Sequence, residues 1–282
     1  MKRHLLFLTF LLLTLCVFYA PLRQLLAMTY RNELYSHIPL IPFVSGFFLF
    51  WDRKSIFSKI EYSFGTGAAT IVIGAALGIA GFMGATNFNQ NDYLSLLTFS
   101  LWLIWIGSFT VCYGFQTSKR AVFPLLFLLF MIPLPSVISQ AAISFLQKGS
   151  AEAVSLLFMI LGAPVTRDGY VFHLPQFSIE VAEECSGIRS SIALIITGAI
   201  ASKLFLRSGW QRILLAVSLV PLAILKNAIR IVSLSVIGTF FDERIFDGDL
   251  HRKGGIVFFV IALFLVWAVI ASLRKIGSRS GE

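Results

Sequence analysis

The chain has 282 residues, of which 57% are hydrophobic and only 13% charged, with a formal net charge of +9. Soluble domains carry about 25% charged residues, so this composition, with a mean hydropathy of +0.84, excludes a soluble globular protein. The basic excess does not point to nucleic acid, because most Lys and Arg residues lie in short loops between apolar runs, where they report topology.

Lipid accepts only helices and closed barrels as spanning structures. The apolar runs here do not alternate with polar residues as barrel strands do. The expected fold class is therefore an all-α polytopic membrane protein with about eight transmembrane helices, read as a single membrane domain over 1–282.

Met1-Lys-Arg followed by Leu5 to Ala20 has the look of a signal peptide, but no small-residue cleavage site follows, so it is expected to stay as a first helix. Arg23 to His37 reads as a polar loop. Ile38 to Trp51 is short for a crossing and contains Pro39 and Pro42. A basic loop with Arg53, Lys54 and Lys59 precedes a Gly/Ala-rich span from Phe64 to Met83, suited to close helix packing. Tyr93 to Phe115 and Ala121 to Pro135 are the next two crossings, the second ending at the Pro133-Leu-Pro135 break.

Residues 136–184 form an insertion before the sixth span. Val137 to Leu161 reads as one or two amphipathic helices near the surface, interrupted at Lys148-Gly149. Asp168-Gly169 is a hairpin signal, and Phe177, Ile179 and Val181 alternate with polar or small residues in a strand pattern. Ser186 to Phe205, Ile213 to Phe241 and Gly254 to Leu273 complete eight crossings. With both termini in the cytoplasm, inside segments hold 13 basic residues and outside segments 7. The positive-inside rule favours that orientation. It puts the insertion, and the residue that follows it, Cys185, on the outer face.

Cys185 stands between the polar insertion and an apolar run, inside Val181-Ala-Glu-Glu-Cys185-Ser-Gly-Ile-Arg189-Ser-Ser191. Helix N-termini carry partial positive charge, which favours the reactive thiolate. On a continuous helix Arg189, four residues on, would share the face of the sulfur. Cys16 and Cys112 fall in apolar runs and read as packing residues. The three cysteines form neither a disulfide framework nor a CxxC pair. Cations inside a span mark functional sites, and Lys226, Asn227 and Arg230 cluster in the outer half of the seventh span. His251 precedes the eighth span on the same side. His173 reads as structural, and His4 and His37 as interface residues. Cys185, His173, His251 and the glutamates have no metal-site spacing, so no metal or other cofactor is expected.

Three motifs carry a resemblance: Ala182-Glu-Glu-Cys185-Ser-Gly-Ile-Arg189, Asn227-Ala-Ile-Arg230-Ile and His251-Arg-Lys-Gly-Gly255. Tyr35-Ser-His37-Ile-Pro39 and Phe130-Met-Ile-Pro-Leu-Pro135 support them. Together, in this order and membrane placement, they resemble the exosortase/archaeosortase family of integral-membrane cysteine transpeptidases, and most closely its bacterial branch. The resemblance implies Cys185, Arg230 and His251 as the catalytic set. It further implies a thiol protease or transpeptidase of the cytoplasmic membrane, with its active site on the outer face. Its partners would be exported proteins bearing a C-terminal signal: a Pro-Glu-Pro-like motif, a transmembrane helix and a basic tail. Arg189, Lys226 and Asn227 are candidates for binding the acidic residue of that signal.

Two other classes compete. A transporter or flippase would use Lys226 and Arg230 on an anionic lipid-linked substrate, but no internal repeat of the transporter kind is visible. A membrane scaffold would keep Cys185 buried and inert.

Overall fold

The computed structural model describes residues 2–58, 60, 63–240 and 249–279. Lys59 of the expected basic loop and residues 241–248 lie outside the described residues, as do the side chains of Cys185 and His251. The chain forms two compact units, residues 1–138 and 139–282.

In the first unit α1 (Lys2–Val17) and α2 (Tyr19–Arg31) meet at a 73° bend. The segment expected as a polar loop from Arg23 is thus helical: Pro21, Leu25 and Thr29 recur every fourth residue and bury one face, the spacing of an amphipathic helix. Two short 3-10 turns lead into α3 (Ile41–Trp51). Pro39 and Pro42 sit in first turns, where proline is tolerated because the missing N–H has no helical partner. The stretch Glu33–Trp51 reaches 19 residues, enough for a crossing.

After the single turn α4 (Arg53–Ile56), α5 (Phe64–Met83) lies along α6 (Gln90–Tyr113). Gly67, Gly74, Gly78 and Gly81 are buried on α5. A Cβ on Gly67 would come within 2.6–2.9 Å of Val111 and the Gly107 carbonyl. Small residues here let two backbones touch, and Ser100 Oγ donates to the Gly74 carbonyl at 2.7 Å across the pair.

The short helices α7 (Phe115–Arg120) and α8 (Val122–Phe127) and a 3-10 turn follow. The apolar helical stretch Val122–Met131 is shorter than the other candidate spans, but the chain continues along α6: Trp102 Nε1 donates to the Leu125 carbonyl at 2.9 Å and Ser95 Oγ to the Pro133 carbonyl at 2.7 Å. The two accessory motifs of the sequence meet through Asn91. Tyr35 Oη donates to Asn91 Oδ1 at 2.7 Å, and Asn91 Nδ2 donates to the Leu134 carbonyl at 2.7 Å. The His37 ring lies against the backbone of Leu34 and Phe130.

α9 (Ser136–Ile160) is one helix of 25 residues that runs through Lys148-Gly149 without a break. Its length and composition are those of a membrane span, in place of the interrupted surface helix expected from sequence. Gly149 is not a breaker here but a contact: its Cα faces Ile224, 2.8 Å from where a Cβ would stand. Among the described residues seven helical stretches are long and apolar enough to cross, or eight with the bent α1–α2 pair.

The second unit continues with an antiparallel three-stranded meander: β1 (Thr166–Asp168), β2 (Val171–His173) and β3 (Ser178–Glu180). Asp168 pairs with Val171, so the loop residues are Gly169 and Tyr170, one position later than the Asp-Gly signal. Gly169 takes φ +60°, the glycine-first form of a two-residue hairpin. His173 and Ser178 pair across β2 and β3 and bond through Nδ1 and Oγ at 2.7 Å.

The remaining helices are α10 (Ile188–Phe205), α11 (Gly209–Phe240) and α12 (Asp249–Arg279). Leu194, Leu215, Leu219, Ala223, Ala262 and Val266 form the core between them. A second core joins Ala151, Val154 and Phe158 of α9 to Phe172 and Val181 of the meander and to Ala228 and Val232 of α11.

Candidate active site

Cys185 lies in a 3-10 turn, Glu183–Ser186, and Gly187 follows at φ +76° before α10 begins at Ile188. A left-handed residue ends one helix and redirects the chain into the next. Cys185 therefore precedes α10 by three residues. Arg189 belongs to the first turn of α10 and does not share a helix with the cysteine, so the expected same-face pairing is replaced by a bend.

Each flank of this turn is fastened to a neighbouring helix. On the upstream side Gln147 Nε2 of α9 donates to the Val181 carbonyl at 2.7 Å, and Gln140 Nε2 donates to Glu183 Oε1 at 2.9 Å. On the downstream side the Gly187 carbonyl accepts three hydrogen bonds: from Ser190 Oγ at 3.0 Å, Ser191 Oγ at 2.8 Å and Ser191 N at 2.9 Å. The helix α11 then presses on this glycine. A Cβ on Gly187 would stand 2.9 Å from Asn227 Oδ1.

Asn227 is 1% exposed and its Nδ2 donates to Ser150 Oγ of α9 at 3.0 Å. Lys226 is 3% exposed and its Nζ donates to Ser190 Oγ. Lys226 and Asn227 thus point inward, to protein partners. Arg189 is exposed and Arg230 half-buried. Ser186 Oγ is buried with no hydrogen-bond partner among the described residues.

Close contacts fix how α10 and α11 run past each other. Ser190 meets Lys226, Gly187 meets Asn227, and Gly198 faces Leu219, so α10 and α11 run antiparallel. Gln211 Nε2 of α11 donates to the Leu273 carbonyl of α12 at 2.8 Å, which fixes the second pair. The core shared by α11 and α12 extends as far as Ala223 and Ala262, and the α10–α11 contacts set the Cys185 turn beside Lys226 and Asn227, three to four residues before Arg230.

Sequence reasoning passed over Gln147, Ser150 and Ser190. A signal existed: Gln147 and Ser150, three apart on α9, put polar groups on one face of a helix, and both are buried.

Chemically, cysteine, arginine and histidine are residue types that can serve as nucleophile, oxyanion partner and proton carrier. Residues 28–268 match the family model described as transmembrane exosortase. No curated protein and no solved structure matches the chain.

Proposed function

Because the chain belongs to the transmembrane exosortase family, a membrane transpeptidase or protease acting on proteins with sorting signals, we propose that Cys185 is its nucleophile. The substrate is an exported protein carrying a C-terminal signal with a Pro-Glu-Pro-type motif. The Cys185 thiolate attacks the scissile carbonyl, and Arg230 stabilises the oxyanion that forms. His251 protonates the leaving amine, and the acyl group remains on sulfur as a thioester. His251 then takes a proton from the incoming water or amine, whose attack releases the product and returns the Cys185 thiolate beside a protonated His251.

The observation that supports this reading is the family match over residues 28–268, with the Cys185 turn fastened to α11 at Lys226 and Asn227, three to four residues before Arg230. Arg189, the exposed member of the three candidate signal-binding residues, takes the acidic residue of the signal, while Lys226 and Asn227 act from behind the turn. The site faces the outside of the cytoplasmic membrane, with both termini in the cytoplasm.

The test is co-expression with a tagged exported protein that ends in such a signal, comparing wild type with Cys185→Ala. A size shift in the wild type that disappears in the variant is expected. Equal processing by both forms overturns Cys185 as nucleophile.

A further inference from the structure

One buried cation in the second unit has no part in the steps above. Lys226 is 3% exposed, and a charged side chain placed within an apolar helix of membrane-spanning length is costly and is kept for a reason. Its ammonium donates to Ser190 Oγ, and Ser190 Oγ in turn donates to the Gly187 carbonyl at 3.0 Å. The relay therefore ends on the left-handed glycine two residues after Cys185. It joins the middle of α11 to the hinge that sets the direction of the cysteine's turn.

Two physical effects follow. A serine hydroxyl that accepts from an ammonium is a stronger donor to its own acceptor, since hydrogen bonds in a chain polarise one another. The Gly187 peptide is thereby held in one orientation. The ammonium also adds a full positive charge at the first turn of α10, the end that already carries the partial charge of the helix dipole. Positive charge near a thiol favours the thiolate. Among the described side chains, the other charged groups near the turn are Glu183 within it, Arg189 on α10 and Arg230 on α11.

We propose that Lys226 is a positioning residue for the Cys185 turn: it holds Gly187 through Ser190 and biases Cys185 toward the thiolate. The inference rests on the reading of Cys185 as the nucleophile. It gives Lys226 a task without contact to the sorting signal.

The experiment is the pH profile of Cys185 alkylation by a maleimide in the full-length protein, read on the Cys185 peptide by mass spectrometry so that Cys16 and Cys112 do not interfere. Lys226→Met is expected to raise the midpoint by about one pH unit and to slow alkylation at neutral pH roughly tenfold. Ser190→Ala is the milder change and keeps the ammonium. It moves the midpoint in the same direction by less, and decides the matter alone if Lys226→Met does not fold. A midpoint equal to wild type in every folded variant overturns the proposal. Substrate processing does not enter this readout. A failed nucleophile assignment would show as processing that survives Cys185→Ala, whereas a failed relay shows as an unmoved midpoint.

Discussion

Gly187 and Asn227 stand in direct contact, so that a methyl group on the glycine would lie 2.9 Å from Asn227 Oδ1 and 3.0 Å from Asn227 Cγ. The same glycine holds φ +76°. Steric fit and backbone conformation thus both require glycine at the junction between the cysteine's turn and α10. Gly187→Ala meets both penalties. The left-handed conformation alone costs about 1–2 kcal/mol for an L-residue. Gly162, at φ +64° with nothing within 4 Å of its Cβ position, separates the two effects. Melting in detergent should show Gly187→Ala losing more stability than Gly162→Ala, and only the former should lose processing. Equal losses would refute the contact as the deciding term.

Removal of the guanidinium at Arg230 is expected to lower the turnover rate by about 10²–10³-fold, the usual effect of deleting one oxyanion donor. Arg230→Lys should retain part of the rate, because a point charge replaces a planar fork. Single-turnover processing with saturating substrate reads the chemical step directly. A rate within threefold of wild type for Arg230→Ala would remove it from the oxyanion role.

Gln147→Leu keeps the volume on α9 but leaves the Val181 carbonyl unpaired in the interior. An orphaned buried acceptor costs about 1–3 kcal/mol. Hydrogen exchange should accelerate in residues 178–186, and processing should fall while the thermal transition drops only modestly. Unchanged exchange in that segment would show that the Gln147 contact does not anchor the turn.

In the first unit the close approach of α5 and α6 depends on Gly67 and Gly107, whose Cβ positions lie within 3 Å of the opposite backbone. Backbone atoms cannot move aside as a flexible side chain does. Gly67→Leu forces the helices apart, at a cost of about 1–3 kcal/mol for overpacking. A lowered melting temperature is the expected result. An unaltered one would mean that the helices can separate freely at this point.

The clearest element in the sequence was the Gly/Ala-rich run from Phe64 to Met83, which is α5 to the residue. Long uniform apolarity and small residues both report directly on a lipid-facing helix that packs closely on one neighbour. Less visible was α2. Its apolar stripe of Pro21, Leu25 and Thr29 is narrow and partly polar, and Arg23 and Arg31 made the segment look like a loop. The continuity of α9 was hidden for another reason. Lys148-Gly149 has the composition of a break, and only the tertiary contact of Gly149 with Ile224 explains a glycine in mid-helix. At the site, residue types were visible in the motifs, but the bend at Gly187 was not. A serine or glycine ahead of an apolar run fits both a smooth helix start and a left-handed turn, and the choice is made by Asn227, forty residues away in the chain.

The segment between Val181 and Gly187 is a short span with both ends tied down, one to α9 through Gln147 and the other to α10 and α11 through Ser190 and Asn227. Five residues between fixed ends have few shapes open to them, and the entropy of ordering them is lost on folding rather than on encounter with a substrate. On the reading proposed above, the backbone that carries the nucleophile is thus set in advance, and the flexible partner in the reaction is the substrate's own tail. Selectivity among tails then follows from how readily each one extends across a stationary target, so a proline-bearing segment, already restricted in φ, arrives with less disorder to give up.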